Sequence, residues 1–205
     1  STGNYNAVTA RLYTDTGLFT TDKAIADDIT HLFNSITGYS RLPKMQKIYT
    51  SPGNLKKRII RAIRTERSNA QAGEPAHITA KMNSLVDADV IRELYRASET
   101  GVRIDLLVRG ICCLRPGVKN VSENIRVRSI VGRLLEHSRA FIFENAGDPI
   151  VYLSSADWMP RNFIRRIEVM FPVEDRAVKQ HILDELVPLY FNDNVKAREL
   201  TPSGE

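Results

Sequence analysis

Apolar residues recur along the chain with two periods, one typical of helices and one typical of strands. Two N-terminal segments have apolar residues three and four positions apart, which is the spacing of an amphipathic helix. The first follows Asp22, a good N-cap residue, and is expected to end at Gly38. The second is predicted to begin at Ser51-Pro52 and to end at Gly73, because proline at the first helical position forfeits only an amide that lacks a partner anyway. The apolar positions of the two helices are Ile25, Ile29, Leu32, Phe33 and Ile36, and then Leu55, Ile59, Ile60 and Ile63.

The rest of the chain alternates short β-branched runs with helical segments. Extended segments at Ile78 to Met82 and Val102 to Val108 flank a helix predicted from Asp87 to Glu99 and closed by Gly101. Strand, helix and strand in this order predict a right-handed parallel crossover in a helix-covered sheet. Further strands are predicted at Ile125 to Val127, Ala140 to Phe143, Ile150 to Leu153 and Ile167 to Phe171, and a final helix at Asp175 to Phe191. Because no internal repeat or low-complexity linker interrupts the pattern, we predict a single α/β domain with a helical N-terminal extension.

Composition narrows the class of protein. The 205 residues are 42% hydrophobic and 26% charged, as in soluble globular proteins, and no apolar run approaches the about 20 residues of a membrane span. The two cysteines, Cys112 and Cys113, are neighbours, which suits neither a disulfide framework nor a zinc site and favours a reducing, cytosolic setting. The polar, turn-rich opening has no secretory signal and is expected to continue an element that precedes it, so the sequence is interpreted as a fragment.

Positive charge is concentrated in one stretch. Nine basic residues and one acid lie between Arg41 and Asn69, so this stretch carries +8 and the remainder of the chain carries −3. Such a field attracts polyanions, although a solvated helix face gives the same pattern. The nine are Arg41, Lys44, Lys47, Lys56, Lys57, Arg58, Arg61, Arg64 and Arg67.

One histidine stands in a chemically suggestive setting. The two commonest nucleotide-binding glycine motifs, the nucleophile elbow and the zinc-protease helix motif are all absent from the sequence. His137 directly precedes a predicted strand, Arg139 follows two residues later, then Glu144, and after a turn Ser154-Ser155-Ala156-Asp157. Residues i and i+2 of an extended chain share a face, so His137 and Arg139 are expected to address one phosphate together. This arrangement resembles the His-x-Lys signature of the phospholipase-D-like superfamily, with arginine for lysine and glutamate for aspartate.

Other segments resemble a narrower family. They include Thr2-Gly3-Asn4-Tyr5-Asn6, Arg11-Leu12-Tyr13-Thr14-Asp15, the stretch from Lys81 to Asp87, the stretch from Leu107 to Gly117, Ser122-Glu123-Asn124-Ile125, the stretch from Ser155 to Asn162, and Val195-Lys196-Ala197-Arg198. In this order they resemble the C-terminal part of the long-chain, phospholipase-D-like polyphosphate kinases, from residue 2 to about residue 198. The resemblance implies a phospholipase-D-like mixed sheet flanked by helices, with residues 1–205 forming the second His-x-Lys-type half of the catalytic domain.

The resemblance also implies an activity. Enzymes of that family transfer the terminal phosphate of ATP reversibly to polyphosphate through a phosphohistidine, which would lie upstream of this chain. It further implies Mg²⁺ as cofactor with ligands outside this chain, the remaining domains of the same polypeptide as partners, a homo-oligomer, and a cytoplasmic or membrane-associated location without a membrane span or a specific nucleic acid. The isolated fragment is expected to be inactive.

Site residues follow from the same resemblance. Tyr13, Arg109 and His137 are implied to contact the nucleotide, and His137 is the implied catalytic residue. Supporting roles are assigned to Lys81, Asn83, Arg139, Ser155, Asp157, Arg161, Asn162 and Arg166, with no metal ligand among them. Asp157 could instead cap a helix, as Asp87 is expected to do. His31, His77 and His181 lack a basic partner two residues on and are not expected to substitute for His137.

Physical chemistry makes this assignment plausible and leaves two alternatives. Imidazole exchanges protons near neutrality and guanidinium forks match phosphate oxygens, so we expect His137 to lie near the reacting phosphate with Arg109, Arg139, Arg161 and Arg166. One alternative is a phosphodiesterase or nuclease that pairs two copies of the His-x-Arg motif across a dimer. The other is a polyanion-binding module governed by the basic stretch.

Overall fold

A mixed sheet forms the centre of the fold. The computed structural model describes residues 1–3, 6–38, 41 and 43–205. Its strands are β1 (Tyr13–Thr14), β2 (Tyr49–Ser51), β3 (His77–Met82), β4 (Arg103–Val108), β5 (Ile125–Ile130), β6 (Leu135–Glu136), β7 (Arg139–Phe143), β8 (Ile150–Ser154), β9 (Glu168–Pro172) and β10 (Ala197–Glu199). In these residues the main sheet has eight strands in the order β10-β5-β4-β3-β7-β8-β9-β2, and β1 pairs with β6 separately.

Helices cover both faces of this sheet. They are α1 (Lys23–Ile36), α2 (Leu55–Gln71), α3 (Ala88–Glu99), α4 (Pro160–Ile164), α5 (Arg176–His181) and α6 (Val187–Phe191), with a π-helical segment, Ile182–Leu186, joining α5 to α6. Helices α2 and α3 pack on one face through residues such as Ile59 and Leu94. Helix α1 and the C-terminal helices pack on the other through residues such as Ile29 and Ile182. Alternate residues of β7 reach both cores, since Phe141 belongs to the first and Ile142 to the second.

Most predicted elements are confirmed. Strands β3 and β4 are parallel and joined by α3, as the strand-helix-strand pattern predicted. Asp22 and Asp87 both cap helices, accepting hydrogen bonds from the amides of Ile25 and of Asp89 and Val90. Backbone φ angles of +82°, +78° and +91° at Gly38, Gly73 and Gly101 put these residues in the left-handed region that ends a helix.

Two local predictions were wrong. Helix α2 begins at Leu55 with Asn54 as N-cap, not at Pro52. Ser51 is paired with Glu168 as the last residue of β2, so the chain stays extended there and turns before it can become helical. Asp157 caps no helix either, because the N-cap position of α4 is Met159.

The final helix is present over the predicted range, but its middle part is π-helical and not α-helical. Asp175 caps it through the amide of Val178, and the π-helical segment runs up to Val187. Pro188 has no amide hydrogen to donate to the preceding turn, so a widened segment just before it avoids an unpaired carbonyl. None of the helices in the described part of the chain is both long and apolar enough to cross a membrane.

Candidate active site

One edge of the main sheet collects the chemically interesting residues. Strands β3, β4 and β8 run in the same direction, and Asn83, Arg109 and Asp157 follow their ends. Strand β7 runs in the opposite direction, so its first residue, Arg139, and the preceding His137 lie beside the end of β3. We call this the site edge. It is the carboxyl end of the parallel strands, where open α/β sheets place their ligands.

His137 is held by the N-terminal segment. Strand β1 pairs with β6 just before the histidine, matching Thr14 with Glu136, and the His137 amide donates to the Thr14 carbonyl at 3.1 Å. This pairing places Asp15 Oδ1 at 2.8 Å from His137 Nδ1. It also stacks the Tyr13 ring against the imidazole, with centroids 4.7 Å apart and planes tilted by 46°. A carboxylate can only accept, so Nδ1 carries the proton and Nε2 presents a lone pair.

The electrostatics of the site keep this imidazole neutral. Burial and the neighbouring Arg139 guanidinium lower the pKa of His137, and the opposing effect of the Asp15 carboxylate is smaller. Arg139 Nη1 lies 3.1 Å from Nε2 and 3.2 Å from Nδ1, so its positive charge stands beside both ring nitrogens and disfavours a protonated ring. His137 is therefore an acceptor at neutral pH, and an incoming phosphate anion would shift it towards the protonated form.

Arg139 and Asp157 form the buried base of the site. The Arg139 Nε and Nη2 atoms donate to the two Asp157 carboxylate oxygens at 3.1 and 3.0 Å. Nη1 donates to the Thr2 carbonyl at 2.9 Å, so every nitrogen of this guanidinium has a partner inside the protein. Asp157 also accepts from the Asn83 and Ser84 amides at 2.7 and 3.3 Å. His137 and Arg139 share a face as predicted, but Arg139 orients the histidine and the loops and has no nitrogen left for a phosphate.

Asn83 connects Arg109 to the histidine. Arg109 Nε donates to Asn83 Oδ1 at 3.0 Å, and Asn83 Nδ2 donates to the His137 carbonyl at 3.2 Å. The guanidinium is thus fixed through Nε alone, because no side-chain bond of its Nη atoms occurs among the described residues. A pair of free Nη groups is the fork that binds a phosphate oxygen pair.

Lys81 lies beneath the same loop as a buried cation. Its Nζ donates to the Ser138 carbonyl and hydroxyl at 3.0 and 2.8 Å, lies 3.5 Å from the Glu136 carboxylate, and is 4.6 Å from the centre of the Tyr190 ring. Burial lowers the pKa of Lys81 to about 8, although Glu136 opposes this shift. Lys81 therefore supports the segment that carries His137 and does not reach solvent.

Other predicted residues are placed away from His137. Ser155 and Asn162 both donate to the buried Glu168, which ties α4 to β9. The exposed side chains of Arg161 and Arg166 form no hydrogen bond or ion pair with any described residue, so no such contact joins them to the histidine. Glu144 lies at the far end of β7, where its amide donates to the His77 carbonyl.

The remaining histidines have other partners. His77 pairs with the buried Asp105 at 2.9 Å, and His181 pairs with Glu185 at 3.2 Å in an exposed helical turn. His31 is exposed on α1.

Sequence reasoning missed Asp15 as a site residue. It belongs to a quoted motif, and its position two residues after Tyr13 would have placed both side chains on one face of an extended segment. Thr2, which donates to Asp15 Oδ1 at 3.0 Å, was missed in the same way.

The acids at the site edge do not suit a divalent metal ion. Asp15 already accepts from Thr2 and His137, and Asp157 accepts from a guanidinium and two amides. In the part of the chain that the structure describes, no three His, Cys, Asp or Glu side chains are grouped so that they could hold a metal. No step of the chemistry below is therefore assigned to a metal bound by these residues.

Four of the nine cations in the basic stretch are paired with acids from elsewhere in the chain. Lys47 pairs with Asp22 and Glu174, and Lys56 pairs with Asp87 and Asp89. Arg64 and Arg67 share Glu93. Arg58 donates instead to the Tyr152 hydroxyl. The local surplus of +8 in the sequence is therefore not a continuous positive surface in the fold.

Most of the chain matches one known protein family. Residues 48–205 match the model of polyphosphate kinase C-terminal domain 2, and residues 1–42 match that of polyphosphate kinase C-terminal domain 1. The chain belongs to the polyphosphate kinase family. The resemblance identified in the sequence is thereby confirmed.

Individual polyphosphate kinases align with nearly all of this chain. The polyphosphate kinase of Synechocystis sp. is 53% identical over 203 residues, which are 99% of this chain and 28% of that protein. For Pseudomonas aeruginosa polyphosphate kinase the identity is 52%, over 99% of this chain and 29% of that protein. The crystal structure of polyphosphate kinase from Porphyromonas gingivalis superposes with a TM-score of 0.94 at 42% identity, covering 98% of this chain and 31% of that one. The chain thus spans less than a third of the length of these polyphosphate kinases.

The phospholipase-D-like fold is also confirmed. NUC from Salmonella typhimurium, a phospholipase D family member, superposes with a TM-score of 0.52 over 75% of this chain and 97% of that one, at 14% identity. At so low an identity the similarity concerns the fold alone.

Proposed function

We propose that this chain is the C-terminal catalytic part of an ATP:polyphosphate phosphotransferase, with residues 1–205 forming its second His-x-Lys-type half. The observation that carries the proposal is the convergence of Tyr13, Asp15, Asn83, Arg109 and His137 at one sheet edge, in a chain of the polyphosphate kinase family. The reaction moves the terminal phosphate of ATP to a histidine outside this chain, releasing ADP, and then from that phosphohistidine to the end of polyphosphate.

Each side chain at the site edge has a task in this reaction. Asp15 holds His137 by Nδ1, which leaves Nε2, beside Arg139 Nη1, as the ring nitrogen that can take up a proton. The free Nη groups of Arg109 bind phosphate oxygens, and Tyr13 provides an aromatic surface next to them. As negative charge approaches, the neutral imidazole takes up a proton and becomes a donor to the phosphate, which stabilises the charge that develops during transfer.

The wider setting belongs to the same proposal. ATP and ADP are the nucleotide substrates, polyphosphate is the second substrate, and the further domains of the polypeptide supply the phosphohistidine. We propose a homo-oligomer in the cytoplasm for the intact protein. Mg²⁺ would accompany the nucleotide, but no residue of this chain is assigned to it.

The decisive experiment replaces His137 in the intact protein. We expect His137→Ala to reduce polyphosphate synthesis from ATP by about 10²- to 10⁴-fold, the usual contribution of a positioned acid or base. His181→Ala is the matched control, because His181 is an exposed histidine outside the site edge. A His137→Ala rate close to that of the control would refute the proposal.

Neither alternative is favoured by the structure. A dimeric phosphodiesterase would hydrolyse bis-p-nitrophenyl phosphate, and we expect no such activity above that of His137→Ala. A module that binds polyanions without chemistry would keep its affinity for polyphosphate in His137→Ala and respond only to salt.

A further inference from the structure

A small cavity adjoins the site edge and has an unusual lining. Its volume is about 240 Å³, and it lies between β1 and the loop that joins β5 to β6. The lining residues are Leu12, Tyr13, Arg109, Val131, Gly132, Arg133, Leu134 and Leu135. They include two guanidinium groups and no carboxylate, so the cavity favours an anion with an apolar part.

Arg133 is available to such a ligand. Its side chain is exposed and forms no ion pair or hydrogen bond with any residue that the structure describes. Arg109, on the opposite side of the lining, is anchored through Nε to Asn83. Two guanidinium groups that face one cavity without an acid between them repel each other, and a bound phosphate chain would remove that cost.

A lysine adds to this charge from the neighbouring strand. Strand β10 pairs with the end of β5, matching Ala197 with Ile130, and so brings Lys196 next to the loop. A β-carbon placed on Gly132 would lie 3.3 Å from Lys196 Nζ. Lys196 forms no ion pair with any residue that the structure describes, and Asp193, three residues before it, accepts instead from the amides of residues 195, 196 and 197.

We propose that Arg133 and Lys196 are additional phosphate-binding residues, which act with Arg109 on the phosphate chain of a nucleoside diphosphate or triphosphate. The base would lie against the Tyr13 ring and the leucines of the cavity, and its phosphates would point towards the three cations. This inference rests on the proposed function, since it assigns the nucleotide to this side of the site edge. It adds Arg133, which belongs to none of the family motifs in the sequence, and gives a role to Lys196, which belongs to Val195-Lys196-Ala197-Arg198.

Calorimetry on the intact protein tests it with ADP and inorganic tripolyphosphate as separate ligands at one fixed salt concentration. We expect Arg133→Gln to weaken ADP binding about tenfold, the size of one lost charge-assisted contact, and Lys196→Gln to weaken it about threefold, because an ammonium group lacks the planar fork of a guanidinium. Arg133→Lys should restore part of the loss, since it keeps the charge without the planar fork. The matched controls are Arg176→Gln and Lys119→Gln, which remove exposed, unpaired cations far from the cavity in the described structure.

The outcomes separate this inference from the proposed function. Weaker ADP binding in Arg133→Gln, with or without weaker tripolyphosphate binding, supports the inference, provided that thermal unfolding matches the controls. ADP binding equal to that of the controls overturns it, whatever happens to tripolyphosphate. If the wild-type protein binds ADP but forms no ATP from ADP and polyphosphate, the proposed function fails while the role of Arg133 in nucleotide binding stands or falls on its own data.

Discussion

At the scale of single residues, the site depends on how His137 is surrounded. The histidine, its arginine two positions later and the nucleotide-contacting pair Tyr13 and Arg109 could all be named from motifs in the sequence. Asp15 was not named, because it lies 122 residues before His137 and only the β1–β6 pairing brings the two together. Local spacing predicts which side chains share a face, but it does not predict which distant segment covers that face.

Replacing Asp15 should change the titration of His137. The carboxylate raises the pKa of His137, so we expect Asp15→Asn to lower it further and to leave the imidazole more firmly neutral. This change in pKa is measured by following imidazole NMR signals from pH 4 to pH 8, a range that extends about two units to either side of the ordinary His pKa. Asp27→Asn, which breaks an exposed pair with Lys23, is the control. A His137 pKa that rises or stays unchanged in Asp15→Asn would contradict the assigned contact.

Lys81 should affect how the free energy of unfolding depends on pH. Its pKa is about 8 in the folded chain against an ordinary value of 10.5, so between these values the unfolded chain binds the extra proton and folding becomes more favourable as pH rises. We expect the stability of the wild type relative to Lys81→Met to increase from pH 7.5 to pH 9.5, by up to roughly 2 kcal/mol. Urea unfolding at several pH values gives the difference. A difference that is flat, or that falls with pH, would show that Lys81 is not a buried cation.

At the scale of elements, the site edge forms because the ends of β3, β4 and β8 meet the start of β7 and the β1–β6 pair there. The βαβ unit and the positions of the later strands along the chain were predictable from short runs of apolar and β-branched residues. Strands β1, β2, β6 and β10 have only two or three residues each, which is too short for a period to show. Pro52 was misplaced for a related reason, since the pairing of β2 with β9 decided its conformation and is invisible to local rules.

Asn83 links three of these elements and is expected to act through Arg109. Asn83→Ala releases the guanidinium from the end of β3, so we expect the KM for ATP to rise about tenfold, the size of one hydrogen bond to a charged group. If Asn83 works by positioning Arg109, the double variant with Arg109→Gln should be hardly worse than Arg109→Gln alone. Steady-state kinetics of all three variants provide the comparison. Additive effects would mean that Asn83 acts on substrate directly.

At the scale of the whole molecule, charge that looked continuous in the sequence is divided among several surfaces. Four of the nine cations between Arg41 and Arg67 have acidic partners from α1, α3 or the start of α5 and its preceding turn. The count of charges was readable from the sequence, but their partners were not, because each pair joins segments far apart in the chain. Fold class and family were predictable for the opposite reason, since they depend on many short motifs in a fixed order.

This distribution of charge predicts that nucleic acid binds weakly and that its affinity depends only moderately on salt concentration. With five cations of this stretch lacking an acidic partner among the described residues, we expect the logarithm of DNA affinity to fall with the logarithm of salt concentration with a slope no steeper than about −5, where eight would give about −7. Fluorescence anisotropy of a labelled duplex at several salt concentrations measures it, and Lys57→Gln with Arg61→Gln tests whether the exposed face of α2 contributes. A slope near −7 would revive the polyanion-binding alternative.

The link between β1 and β6 has a consequence for how the protein responds to heat. Only two residue pairs form this small ribbon, and its first strand and Asp15 add a few side-chain contacts with His137 and Glu136, whereas the main sheet is buried between two apolar layers. Ribbons of this size are marginal in water without outside support. Warming should therefore separate Tyr13–Thr14 from β6 while the centre of the molecule stays intact, and nucleotide affinity should fall at temperatures where circular dichroism still reports a native fold.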